Sequence, residues 1–265
     1  MPAKAKFSKW TVIITTIAVC VVARGQESAA GTAELDSKVD TILTRLEQRT
    51  IEDIQAKVSW TITDKIDESN VIKSGRIWYR DMKPAAKFLV AFDKKTFANR
   101  VRKLSEKHMF DGQWYVELQE ATKTMTRKEL RHEDEIGNPY ALGEGIFPLP
   151  FGQKKADILK EFQVELLDPA KSDPPKTDRL RLTPKPGTKT GDRYVWIDFW
   201  ILQTGKLSGL PVQIRLGKKE GTGRVSEEIT VQFTDVKLNK GFSPSIFDIK
   251  KPAGYHFSEE RLPPR

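Results

Sequence analysis

The feature that most constrains this chain is a change of period near residue 54. Upstream, Val39, Ile42, Leu43 and Leu46 recur at i, i+3, i+4 and i+7, one face of an amphipathic helix over Leu35 to Gln48 that Asp36 or Ser37 can cap. Downstream the repeat becomes two. Val58, Trp60 and Ile62 alternate with polar residues, a second run spans Val71 to Arg80, and Phe88, Val90 and Phe92 share one face of a third. Residues 101–110 and 114–118 flank Asp111-Gly112, a hairpin signal, and Thr122 to Thr126 reads as a further strand. Strand patterns return over 162–167, 179–183, 194–202, 210–216 and 226–233, divided by breaks such as Asp173-Pro174-Pro175, Pro186-Gly187 and Gly221-Thr222-Gly223.

The pattern predicts about ten to twelve strands joined by short turns, hence a mostly antiparallel sheet. A sheet of that size curls or splits. A second short helical pattern, Ala156 to Phe162, brings the helices to two, which can cover one face. The expected fold is mainly β with α (α+β), a strongly curved sheet with helices in its concave side.

The first residues bear on compartment. Lys4, Lys6 and Lys9 precede an uncharged apolar run from Trp10 to Ala23, and small residues follow. A membrane-spanning helix needs roughly 20 apolar residues, so this run reads as a secretory signal peptide over 1–25, with an uncleaved anchor as the competing reading. Cys20, the single cysteine, lies inside the run, in a context that only loosely resembles a lipidation site. Residues 26–34 read as a flexible leader, 35–258 as one domain and 259–265 as a tail. Without a second cysteine there is no disulfide framework, so an exported chain must rest on its core. The formal charge of +9 falls to +6 once residues 1–23 are removed, and basic residues are interleaved with acids throughout. That describes a solvated surface, not a nucleic-acid patch, and leaves room for weak attraction to anionic headgroups.

Catalytic and metal signatures are thin. His108, His132 and His256 are not at ligand spacing, and His132-Glu133-Asp134-Glu135 reads as a solvated charge run, so no metal is expected. No serine sits in a nucleophile elbow and no phosphate loop is present. Asp198 is the one carboxylate in an apolar strand setting, and it can be a surface residue. The aromatic content says more. Trp78, Phe88, Phe92, Phe110 and Trp114, with Val90, fall on strands. They are either packed core or the lining of an incompletely filled cavity. In the second case the apolar Gly/Pro stretch containing Ile146, Phe147, Leu149 and Phe151 is the natural lid.

Several segments together resemble the outer-membrane lipoprotein carrier (LolA-like) family. They are the leading helix with Ile42-Leu43 and Leu46; Gly75-Arg76-Ile77-Trp78-Tyr79 followed by Lys83-Pro84 and Phe88; Phe110-Asp111-Gly112-Gln113-Trp114-Tyr115; a short helix around 147–162; Arg181-Leu182-Thr183-Pro184-Lys185; and Phe247-Asp248-Ile249-Lys250-Lys251-Pro252-Ala253-Gly254-Tyr255. The resemblance implies an unclosed antiparallel barrel or half-barrel with helices against its concave face. It implies a periplasmic carrier, without enzyme activity or cofactor, whose cavity shields the acyl chains of lipoproteins or other lipids; nothing in the sequence suggests an obligate oligomer, and a monomer is expected. Trp78, Phe88, Val90, Phe92, Phe110 and Trp114 would line that cavity, and Ile146, Phe147, Leu149 and Phe151 would cover it. The family's lid-linked arginine maps ambiguously onto Arg80 or Lys83. Implied partners are acylated lipoproteins or lipids, membrane-anchored donor and acceptor proteins, and transient membrane contact. A lipid-sensing envelope regulator of the same fold, binding a protein partner, is the alternative.

Overall fold

The computed structural model describes residues 23–82, 85–132, 142, 149–221 and 223–263. Helix α1 (Ala23–Glu47) leads into β1 (Asp53–Asp64), β2 (Asn70–Arg80), β3 (Lys87–Phe97), β4 (Arg100–Phe110), β5 (Trp114–Gln119) and β6 (Thr124–Glu129). Helix α2 (Lys155–Glu161), β7 (Phe162–Leu167), β8 (Thr177–Pro184), α3 (Lys189–Arg193), β9 (Tyr194–Leu202), β10 (Pro211–Lys219) and β11 (Val225–Leu238) follow, then a 3-10 turn (Pro244–Phe247) and β12 (His256–Glu260).

The twelve strands form one sheet in the order β12-β6-β5-β4-β3-β2-β1-β11-β10-β9-β8-β7. Two hairpin meanders, β1–β6 and β7–β11, are therefore joined where β1 pairs antiparallel with β11, Trp60 opposite Val231 and Ile62 opposite Ile229. β7 and β12 stand at opposite ends and do not meet, so the sheet is an open half-barrel. All pairs are antiparallel except β12 with β6.

Curvature is built into β2 and β3. The register slips between Ser74 and Gly75 on one side of β3 and between Phe92 and Lys94 on the other, a bulge around Asp93. Bulges bend and twist a strand. At that bend a Cβ on Gly75 would lie 2.0 Å from the Ala91 carbonyl oxygen, so only glycine fits. Gly209 plays a similar part for α1: its φ is +83°, and a Cβ there would fall 2.5 Å from the Arg45 carbonyl oxygen.

The core lies on the concave face. Val39, Ile42, Leu43 and Leu46 of α1 enter one buried cluster with Ile54 and Val58 of β1, Leu180 and Leu182 of β8, Phe199 of β9, Leu216 of β10 and Val231 of β11. The helical face read from the sequence is the face that is buried. A second cluster lies on the convex side, where Leu89, Met109, Val116, Leu118 and Met125 are covered by the C-terminal segment through Phe242, Phe247, Ile249 and Tyr255. That segment is held by the Asp53 carboxylate, which accepts from the Gly241 amide at 2.9 Å, and by Asn239, whose Oδ1 accepts from the Glu52 amide at 2.9 Å.

Three expectations need correction. The helix begins at Ala23 and takes in the expected leader 26–34, consistent with its Ala and Glu content. The expected tail from 259 begins inside a strand: β12 runs to Glu260 and pairs in parallel with β6, and Lys128 and Glu260 form an ion pair at 2.8 Å. Helix α3 has no apolar periodicity; it is a single turn whose cap is Thr188, with Oγ1 accepting from the Gly191 amide at 3.1 Å. The expected signal peptide lies outside the described residues, except for its last three positions, where α1 begins. Among the described residues no helix is long and apolar enough to cross a membrane.

Because Gly75 sits under the Ala91 carbonyl, Gly75→Val should force the β2–β3 bend apart and lower stability by about 1–3 kcal/mol, in the range of an overpacked core. Urea unfolding measures this; an unchanged midpoint would mean that the bend does not depend on the missing side chain.

Candidate functional site

Alternation along the strands decides which of the expected lining residues share a face. Phe88, Val90 and Phe92 of β3 and Phe110 of β4 all point to the concave side, each at most 4% exposed, with the Phe88 and Phe110 rings stacked at 6.4 Å. Trp78 lies one position from both Ile77 and Tyr79, which face inward, so it faces outward and packs against the convex cluster. Trp114, next to inward Tyr115, also turns outward, where the Arg127 and Arg261 guanidinium carbons stand 3.9 and 5.5 Å from its ring centre. These two tryptophans therefore do not belong with the concave lining.

The cover on the concave face comes from α1 and residues 149–161. Leu149 is 1% exposed and Phe151 2%. The Phe151 ring is wedged between Tyr79 and Phe233, at 5.6 and 5.0 Å between centroids. Gln153 Nε2 donates to the Leu149 carbonyl at 3.1 Å, Gly152 turns the chain with φ +71°, and Ile158 of α2 is buried in the same cluster. Lys155 ties the segment to α1, donating to Thr44 Oγ1 at 3.1 Å and pairing with Asp40. Beside this plug opens a cleft of about 370 Å³ whose apolar wall is Leu46, Ile51 and Tyr79 and whose other walls are polar, with Glu47, Arg49, Glu52, Asp81 and Lys154. That is within the size range of small-molecule sites. Ile146, Phe147 and Lys83 lie outside the described residues. Arg80, the other candidate for a lid-linked base, serves the convex side: it donates to the Phe242 carbonyl at 2.6 Å and lies 4.3 Å from that ring.

Two polar groupings were not legible in the sequence. On the convex face of β8–β10, Asp198 is fully buried, not a surface residue. Its carboxylate accepts from Arg179, Arg181 and Arg215 at 2.8 to 3.0 Å, and Trp196 and Trp200 stack beside those guanidiniums. Burial pushes the Asp198 carboxyl up, but the bonds from Arg181, Arg179 and Arg215 outweigh it and hold it below the usual carboxylate range. The signal available in the sequence is the Arg179-x-Arg181 alternation; Arg215 joins only through strand pairing.

The second grouping interrupts the apolar concave face. Lys73 Nζ donates to both Glu106 oxygens at 2.7 and 2.9 Å, His108 Nε2 lies 2.5 Å from Glu106 Oε1, and His108 Nδ1 lies 2.6 Å from the Tyr115 hydroxyl. Glu106, His108 and Glu117 bring ligating atoms within 4.8 Å of one another. Lys73 already occupies both Glu106 oxygens, so a cation would have to displace it. Burial, followed by the charges of Glu117 and Glu106, pushes the Tyr115 phenol up.

Burial also pushes the Glu106 carboxyl up, yet the His108 and Lys73 bonds win and hold it at about 2, against an ordinary 4.5. A carboxyl depressed on folding stabilises fully above its unfolded pKa, and that contribution is lost as pH falls through its folded value. Glu106→Gln should therefore lower stability by about 1–3 kcal/mol at neutral pH, the cost of a broken buried bond, and converge with the parent as pH falls from 4.5 to 2. Denaturation across that window checks this; parallel curves would remove Glu106 from the acid response.

No family model matches the chain, and comparison with curated proteins gives no match. Among solved structures, the chain is similar to a LolA superfamily protein from Nitrosomonas europaea, at 13% identity and TM-score 0.39, covering 78% of this chain and 96% of that one. It is similar to a candidate outer membrane lipoprotein-sorting protein domain from Vibrio parahaemolyticus, at 11% identity and TM-score 0.40, covering 80% and 95%. It is also similar to the Pseudomonas aeruginosa MucA/MucB complex structure, at 10% identity and TM-score 0.39, covering 82% of this chain and 61% of that one.

Proposed function

We propose that this chain is an exported, non-catalytic binding protein that shields an acyl chain against the concave face of its half-barrel, in the manner of a periplasmic lipoprotein or lipid carrier. The observation that carries the reading is the plug. Leu149 and Phe151 sit on a short segment bounded by Gly152 and rest on an apolar face that the sheet itself does not close; Gly152 and Tyr79, next to Phe151 in the chain and in its ring packing, line the cleft beside it. An acyl chain displacing these side chains exchanges one apolar contact for another, and each methylene it buries contributes roughly 0.8 kcal/mol. Phe88, Val90, Phe92 and Phe110 are the lining on which such a chain would lie.

The regulator reading keeps the same ligand and adds a protein partner. It is favoured by the end of the sheet at β7, which pairs with β8 on one side and, among the described residues, with no strand on the other. Exposed strand edges accept an added strand.

The plug can be tested by removing it. Phe151→Ala should lose about 3–5 kcal/mol of stability, and a fluorescent acyl probe should bind the variant more tightly than the parent and restore much of the lost stability. Equal probe affinity for both, with no recovery of the variant's midpoint, would mean that Phe151 is ordinary core.

A further inference from the structure

Several half-buried guanidiniums of this fold are paired. Arg179, Arg181 and Arg215 share Asp198, Arg45 bonds Asp178, and Arg80 bonds a backbone carbonyl. Arg131 is different. It is 4% exposed, and its Nε, Nη1 and Nη2 are all buried without a hydrogen-bond partner; among the described residues it is the one arginine with all three nitrogens in that state. It stands two residues beyond the end of β6, directly after Leu130, which packs against the concave cluster and donates its amide to the Gln113 carbonyl at 3.0 Å. Two nearby carboxylates are engaged elsewhere. Glu129 accepts from Gln113 Nε2 at 2.8 Å and from the Leu262 amide at 3.2 Å, and Asp111 Oδ1 accepts from the Gln113 and Trp114 amides at 3.0 and 2.8 Å.

A guanidinium does not deprotonate in a protein, so burial cannot neutralise it. Buried charges are kept only when paired, and a planar guanidinium pairs best with an oxyanion that takes two parallel N–H bonds. We infer that Arg131 receives the oxyanion, phosphate or carboxylate, of an anionic ligand whose apolar part lies on the concave face beside Leu130. This rests on the acyl-binding reading and narrows it: the ligand carries a negative head, and the protein discriminates against neutral lipids of equal chain length. The site holds its charge unpaired at a cost to the unliganded fold, which the ligand relieves.

The test compares decyl phosphate, decanol and inorganic phosphate by calorimetry, on the full mature chain and on Arg131→Met. The parent should prefer decyl phosphate over decanol by roughly tenfold to a hundredfold, the range of a hydrogen bond to a charged group. Arg131→Met should abolish that preference, leave decanol affinity unchanged and raise the melting temperature of the unliganded protein. Binding of inorganic phosphate to the parent and not to the variant would support a free anion as the source; phosphate binding only with a chain attached would support a lipid head. An equal affinity of the parent for decyl phosphate and decanol, a preference that survives in Arg131→Met, or a variant less stable than its parent would overturn the assignment. Loss of decanol binding from the parent as well would instead defeat the acyl-binding reading itself.

Discussion

A curved sheet that does not close leaves its concave apolar face in need of a cover, and the rest of this structure follows from how that face is covered. Twelve strands present Ile54, Val90, Phe110, Leu182, Phe199 and Val231 to one interior. Burial is worth roughly 25 cal/mol per Å² of apolar area, so exposing such a face to water would leave the fold without its main driving force. Helix α1 supplies a permanent cover through Val39, Ile42, Leu43 and Leu46, brought close by Gly209. Leu149, Phe151 and Ile158 complete it from a segment that Lys155 ties to α1.

The two halves of the sheet are stiffened by different means. In β2–β4 the bend comes from backbone: a bulge at Asp93 and a glycine at 75 pressed against Ala91. Both sides of that half are covered, with the C-terminal segment packed over Leu89, Met109 and Val116. In β8–β10 the convex face carries the Asp198 network, whose three arginines and two tryptophans cross-link adjacent strands. Paired charges buried in this way specify register more than they add stability, since their desolvation offsets much of their attraction. The polar cluster around Glu106 lies on the concave face and interrupts its apolar surface along β4.

Much of this was legible in the sequence because the signals are local. The 3.6 period gives the buried face of α1, the period of two gives the strands, and Asp111-Gly112 gives the β4–β5 turn, where Gly112 has φ +109°. Parity along a strand fixes which residues share a face, but not which face is inside. Trp78 and Trp114 were misplaced for that reason: with a C-terminal segment covering the convex side, both faces of this half are apolar. What escaped depends on contacts distant in sequence. Lys73 reaches Glu106 and Arg215 reaches Asp198 only through register, and β12, a polar run of His256–Glu260, is a strand only because β6 is there to pair with it. The same holds for Arg131, whose charged surroundings in the sequence suggest a solvated surface while the structure buries it.

The central claim is that the concave face exchanges its own side chains for an acyl chain. The most direct measurement is native mass spectrometry of the protein isolated without detergent, before and after a detergent wash. The account predicts a co-purifying acylated species that the wash removes and that added acyl probe restores. A clean protein mass that added probe does not shift would contradict it, and would leave Phe151 and its neighbours as the core of a protein whose function lies on another surface.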